Sequence, residues 1–199
     1  MQSTRPHVIV LTGGPCAGKT TLLTRLEQLK VIAGHELLFV PEAATILVSR
    51  GLVIGQDVVH FQTETMRLQL QLEREAIQKA QDLDHPCAII CDRGTLDGAG
   101  YCSAQEFDAI AAEFKEERST LAARYGLVIH LVSAAVEAPE AYTLDNNTAR
   151  IETLEEAIAQ EHRTLQAWAT HPNRRIIGCP NSFEKKLDDA IECIAQFLR

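Results

Sequence analysis

Five runs of apolar residues recur along the chain without polar alternation. They are centred on Val8-Ile9-Val10-Leu11, Leu37-Leu38-Phe39-Val40, Cys87-Ala88-Ile89-Ile90-Cys91, Leu127-Val128-Ile129 and Ile176-Ile177. A strand that is apolar on both sides is covered on both faces. The pattern therefore predicts buried strands over 7–12, 36–40, 87–91, 127–132 and 175–178. The segments between them carry helical spacing. Leu22, Leu23, Leu26 and Leu29 mark a helix over 20–30. Residues 42–50 form another, ended by Gly51. Val58, Phe61, Thr65, Leu68, Leu72 and Ala76 share one face of a long helix over 57–83. Ser103 with Glu106, and Thr153 with Glu156, are capping boxes. The first predicts a helix to about residue 124, the second a helix ended by His171-Pro172. Phe183, Leu187, Ile191, Ile194 and Leu198 line a closing helix over 182–199.

Strands that alternate with helices imply a single α/β domain over 1–199, a doubly wound, five-stranded parallel sheet with helices on both faces. Ligands in such sheets bind at the carboxyl ends of the strands. Three polar segments should converge there: Thr12-Gly13, Pro41-Glu42 and Asp92-Arg93.

The length of 199 residues suits one domain, and 46% hydrophobic with 23% charged residues is an ordinary globular balance. A net charge of −8 argues against nonspecific nucleic-acid binding, which needs a basic face. Any phosphate must be held locally. The six cysteines show no metal-site spacing and read as free thiols of a reducing cytoplasm. The seven histidines show no ligand spacing either. The apolar run after Arg5 is too short for a signal peptide, and no stretch is long enough to span a membrane.

The run Gly13-Gly14-Pro15-Cys16-Ala17-Gly18-Lys19-Thr20-Thr21 contains the phosphate-binding pattern G-x-x-x-x-G-K-[ST] between a strand and a helix. The glycines let backbone N–H groups point inward as an anion nest, and the helix presents its positive dipole end. Lys19 would reach the β- and γ-phosphates, and Thr20 would offer its hydroxyl to Mg2+. Asp92, after a buried strand, is the second candidate for the metal. Its blander alternative is a strand-ending Asp that caps a turn. Asp97-Gly98-Ala99-Gly100 spells the GTPase pattern D-x-x-G, but lies past the strand and is read as coincidence. No N-K-x-D or T-K-x-D follows, so Ras-type guanine readout is not supported.

LTGGPCAGKTT, PEAAT, the FQTETMRLQLQLE helix, CDRGTLDGAGY and the segment 146–172 together resemble the AAA-type P-loop family. This family holds the nicotinamide-riboside kinase domain of NadR and the TRPL-translocation-defect proteins, and the likeness is nearer the second branch. It covers nearly the whole chain. Eukaryotic members of that branch carry a further C-terminal domain, which the chain is expected to lack. The wider kin are small-molecule kinases, which suggests how phosphoryl transfer would be run. Glu42 resembles the acidic base of such kinases, or is simply a first-turn acid at a helix N-terminus. Arg93 resembles the Arg of their Asp-Arg pair, neutralising phosphate or orienting Glu42, or is a surface ion pair. In kinases of this build the region about 135–172 is a lid, and Arg150 would stabilise the transferring phosphoryl group, with Arg163 the weaker choice. Gln62 and Arg67 would face an acceptor or be merely solvated. Asn181 and Lys185 would touch the base or serve as a helix cap and a surface lysine.

Two functions fit this inventory. One is an ATP-dependent (or GTP-dependent) Mg2+ phosphotransferase acting on a small-molecule acceptor. The other is a regulatory NTPase with slow hydrolysis. The pairing of Glu42 with Asp92-Arg93 is what a kinase needs and a switch does not. The acceptor, the choice of ATP or GTP, and the oligomeric state are left open by the sequence.

Overall fold

The computed structural model describes residues 6–139, 153–179 and 181–199. Strands β1 (His7–Thr12), β2 (Val31–Ile32), β3 (His35–Val40), β4 (Cys87–Asp92), β5 (Leu127–Leu131) and β6 (Arg174–Ile177) form one sheet in the order β2-β3-β4-β1-β5-β6. All neighbours are parallel except β2 and β3. The sheet thus has six strands and an antiparallel edge, where the sequence pattern predicts five parallel ones. The extra strand has only two residues and so leaves no periodic signal. It exists because the chain reverses through Ala33 and Gly34, both at positive φ, and folds back on β3.

Helices cover both faces. Side chains alternate across a strand, so β1 divides its residues between two cores. Ile9 and Leu11 pack with Leu22 and Leu26 of α1 (Lys19–Leu29) and with Leu187 and Ile194 of α8 (Phe183–Leu198). Val8 and Val10 pack on the other side with Met66 and Leu70 of α3 (Val58–Asp82) and Ile110 of α4 (Ala104–Glu113). Leu121 of α5 (Arg118–Ala122) and Trp168 join this second core. Apolar residues on both sides of the central strands are what this double cover demands.

The helix expected from Ser103 to about residue 124 is two helices. Lys115 sits at φ 60° just after the C-cap of α4, a left-handed position that no L-residue adopts within an α-helix. α2 (Ala43–Ser49), α6 (Ala134–Glu137) and α7 (Leu154–Ala167) complete the helices. A six-residue 3-10 helix, Thr95–Gly100, follows β4. It fits because Gly94 lies tight against the core: a Cβ there would meet Val10 at 2.8 Å and Trp168 at 2.9 Å. Within the expected lid, α7 is packed into the body, with Ala157, Gln160, Glu161 and Thr164 buried. Residues 140–152, with Arg150, lie outside the described residues.

Trp168 joins these layers. It is fully buried, meets Tyr125 edge-on at 5.4 Å and donates from Nε1 to Asp97 at 3.1 Å. Trp168→Ala is expected to cost about 3–5 kcal/mol of stability, read from the urea midpoint of the far-ultraviolet circular dichroism transition. A loss below about 1 kcal/mol would show that this core closes without the ring.

Candidate functional site

The glycine loop leaves β1 and turns into α1 through residues that ordinary side chains tolerate poorly. Gly13 and Gly18 have φ of 139° and 94°, and Cys16 reaches 57°. A Cβ on Gly13 would come within 2.2 Å of the Leu131 carbonyl oxygen, so the loop lies directly against the end of β5. α3, α4, α7 and α8 are each closed by a capping side chain, from Asp57, Ser103, Thr153 and Ser182. α1 has none: its N-cap is Gly18. Its first N–H groups are therefore free of side-chain competitors, the condition an anion at that end requires.

Lys19 folds back over the loop and donates to the carbonyls of Gly13 at 2.8 Å and Gly14 at 3.0 Å. Burial, followed by the nearby Arg93 charge, lowers its amine from the usual 10.5 to about 8. Asp92, Glu42 and Asp97 act in the opposite sense. Thr20 and Thr21 are exposed at the start of α1.

The ends of β1, β3 and β4 converge beside this loop. Arg93 follows β4 at φ 67° and is held there as its N–H donates to the Leu11 carbonyl at 3.0 Å. Its Nε donates to Glu42 Oε1 at 2.6 Å and its Nη1 to Asp97 Oδ1 at 3.2 Å. Glu42 is the N-cap residue of α2, but its side chain makes no capping bond. It accepts instead from Arg93 and, at 2.6 Å, from the Thr45 hydroxyl. Burial alone would raise the Glu42 carboxyl. The Arg93 charge and the hydrogen bonds of Thr45 and Arg93 outweigh it and hold the group below its ordinary value, hence ionised. Arg93 is accordingly a clamped ion-pair partner and not a loose surface charge.

Asp92 pairs in register with Leu11 of the loop strand. Its Oδ1 is buried with no hydrogen-bond partner among the described residues, so it caps no turn. Burial and the Glu42 charge raise its carboxyl to about 6, against the opposing pull of Lys19 and Arg93. Among the described residues no three His, Cys, Asp or Glu side chains gather to hold a metal. An orphaned carboxylate oxygen at the end of the neighbouring strand is the kind of donor that suits Mg2+, which keeps several waters and takes further oxygens from substrate phosphates.

Two functional supports escape sequence reasoning. Asp97, read as part of a chance D-x-x-G, is a buried hub. Its Oδ1 accepts from the Thr12 hydroxyl at 2.5 Å and from Arg93, while Oδ2 accepts from the Gly94 N–H at 2.9 Å and from Trp168. Glu161 reaches from α7 to the loop: Oε2 accepts from the Gly14 N–H at 2.6 Å, and Oε1 pairs with His130 Nε2 at 2.7 Å. Their long-range links have no local signal, because Thr12 lies 85 residues from Asp97 and Gly14 lies 147 residues from Glu161 in sequence. For Glu161 the one available signal was an acid three residues along a helix from Thr164, on the side that α7 buries.

Beyond Glu42 and Arg93 lies a cavity of about 200 Å³, walled by Phe61, Met66, Phe107 and Ile54, with Gln62 and Tyr101 among its polar lining. Arg67 does not reach it, lying over the Phe114 ring and pairing with Glu64. Arg163 ties α7 to the Gly100 carbonyl. Asn181 and Lys185 are exposed near the loop helix, and Lys185 pairs with Asp189.

The profile of a family described as AAA domain matches residues 8–186. A search of curated proteins finds no match. Among solved structures, the crystal structure of NadR protein in complex with NAD and AMP-PNP is similar with a TM-score of 0.65 at 15% identity. The match covers 98% of this chain and 50% of that one, so the chain spans half the length of the NadR chain. At this identity the likeness concerns the fold.

The environment of Lys19 yields a chemical prediction. Only the neutral amine is acylated, so trace acetylation of nucleotide-free protein, followed by mass spectrometry against pH, should show Lys19 titrating near 8. Exposed lysines should titrate about two units higher. A Lys19 midpoint near 10 would mean that the amine is solvated and not folded onto the loop.

Proposed function

The chain belongs to the AAA domain family, and from that premise we propose that it is a phosphotransferase that moves the γ-phosphoryl group of ATP to a hydroxyl of a small molecule. The observation that carries the reading is the ionised Glu42 carboxylate. It is fixed by Arg93 at 2.6 Å between the phosphate loop and a second cavity. A nucleotide switch has no use for a clamped base facing a second binding cavity; a kinase requires one.

On this reading the loop over 13–20 cradles the phosphates, and Lys19 exchanges the carbonyls of Gly13 and Gly14 for phosphate oxygens. Thr20 and Asp92 would hold Mg2+, which supplies charge neutralisation at the phosphates. The acceptor hydroxyl attacks the γ-phosphorus and gives its proton to Glu42. The new O–P bond forms as the bond to the bridging oxygen breaks, and ADP leaves. Arg93 keeps Glu42 aimed and ionised. Arg150 is proposed to stabilise the transferring group. The NadR complex with AMP-PNP, an ATP analogue, supports an adenine nucleotide as donor.

Titration calorimetry with ATP and Mg2+ should give a binding isotherm, weakened about 10- to 100-fold in Lys19→Ala by loss of charged hydrogen bonds. A transfer screen over nucleosides, ribosides and nucleotides then identifies the acceptor. With it, Glu42→Gln should lower kcat by about 10²–10⁴ while ATP affinity stays within about twofold. Undiminished turnover in Glu42→Gln would remove Glu42 as the base. Binding of GTP alone, without transfer to any acceptor, would favour the regulatory reading.

A further inference from the structure

One buried carboxylate has no part in the chemistry proposed above. Glu73 lies within α3 and is 1% exposed. Its Oε2 accepts from Arg124 Nε at 2.9 Å, and Nη2 of the same guanidinium lies 2.9 Å away. Its Oε1 accepts twice, from Gln69 Nε2 at 2.9 Å and from the Tyr125 hydroxyl at 2.6 Å. A buried polar network whose members are satisfied in this way is rigid.

Both donors on Oε1 reach on to one turn. Gln69 Nε2 also donates to the Arg93 carbonyl at 3.3 Å, and the Tyr125 hydroxyl accepts from the Thr95 N–H at 2.8 Å. Glu73 therefore grips Arg93-Gly94-Thr95 at both ends. Leu11 and Asp97 hold the rest of the turn. The Leu11 carbonyl accepts the Arg93 N–H, the Asp97 side chain accepts the Gly94 N–H, and the Asp97 N–H donates to the Gly94 carbonyl. The turn needs this many fixed points. Arg93 is a non-glycine residue at φ 67°, a conformation that persists only where its surroundings over-determine it. Freeing either end lets the backbone relax, and Arg93 Nε then leaves the Glu42 oxygen that it holds at 2.6 Å.

We propose that Glu73 is a positioning residue for the candidate site: acting through Gln69 and Tyr125, it fixes the turn that carries Arg93 and so sets where Glu42 is held. Its consequence for catalysis rests on the phosphotransferase reading. Its structural content rests on the contact between Arg93 and Glu42 alone.

The test cuts one arm at a time. Gln69→Met removes the amide and keeps the length of the side chain, and Tyr125→Phe removes the hydroxyl and keeps the ring against Trp168. Neither takes Glu73 from Arg124. Leu70→Ala, the neighbour of Gln69 on α3, removes buried packing without a side-chain hydrogen bond and serves as the control for general loosening. The first readout is the Arg93 Nε–H resonance in nitrogen-15 correlated NMR spectra of the nucleotide-free protein, identified by its loss in Arg93→Lys. Its exchange with water should quicken about 10-fold or more in Gln69→Met and in Tyr125→Phe, and stay within about twofold of wild type in Leu70→Ala. The second readout is transfer from ATP to the acceptor that the screen identifies. There kcat should fall about 10- to 100-fold in both arm variants, with ATP affinity within about twofold of wild type, and stay within about threefold in Leu70→Ala.

Exchange at the wild-type rate in both arm variants overturns the proposal. Equal quickening in Leu70→Ala also overturns it, because the cause would then be loosened packing. So does quickened exchange with an undiminished kcat, since the turn would not then set the base. A wild type that transfers phosphate to no acceptor overturns the phosphotransferase reading, and the NMR comparison still decides whether Glu73 sets the clamp.

Discussion

A carboxylate can stay inside a protein only where donors surround it, and the arrangement of this site follows from one that does. Asp97 is buried and accepts from the Thr12 hydroxyl, the Gly94 N–H, the Arg93 guanidinium and the Trp168 indole. Those donors come from the end of β1, the turn after β4 and the end of α7. The carboxylate therefore locks the phosphate-loop strand, the segment bearing Arg93, and the helix that follows residues 140–152. Arg93 divides its charge between Asp97 and Glu42, which carries the lock on to α2. Removal of Asp97 would leave Arg93 with one partner and Trp168 with a buried N–H unpaired, so the effects would be strongly non-additive.

A second buried carboxylate does for the loop what Asp97 does for the strand ends. Glu161 accepts the Gly14 N–H and pairs with His130 of β5. The loop is thus braced by α7, and Lys19 rests on its carbonyls. Bracing of this kind matters because an anion nest works by preorganised N–H groups. A loop that had to be ordered by each incoming phosphate would lose affinity to that ordering.

The sheet was legible in the sequence because its strands are apolar on both sides, and Val8 to Leu11 show why. Alternate residues enter two different cores, one under α1 and α8, the other under α3 and α4. The misses have equally local causes. β2 is too short to have a period, and the break between α4 and α5 rests on one left-handed residue, Lys115. The convergence of Glu42, Asp92 and Arg93 was readable because each ends or follows a parallel strand, and those ends share one edge. Asp97 and Glu161 were not, since Thr12, Trp168, Gly14 and His130 reach them from across the fold, and the D-x-x-G that begins at Asp97 points to a different chemistry. Gln62 and Arg67 looked equivalent in the sequence. Five residues apart on a helix, they point about 140° from each other; one faces the cavity and the other lies over Phe114.

The electrostatics of the site join these pieces to the proposed chemistry. An acidic chain with a net charge of −8 must hold a polyphosphate against its own field. The described site offers Lys19 and Arg93 against Glu42, Asp92 and Asp97, two cations for three carboxylates. Arg93 is fully engaged, and the Lys19 amine is depressed to about 8, so neither holds charge in reserve. Asp92, raised to about 6 and with a buried oxygen unpartnered, is the carboxylate the protein itself fails to satisfy. Phosphate near Lys19 would favour its charged form, and a divalent cation near Asp92 would do the same for the carboxylate. Lys19 and Asp92, the two groups pushed toward their neutral forms, are on this reading those whose missing partners Mg2+–ATP would bring, and Glu42 and Arg93, each held in its charged form by the other, are those that need to be in place before it arrives.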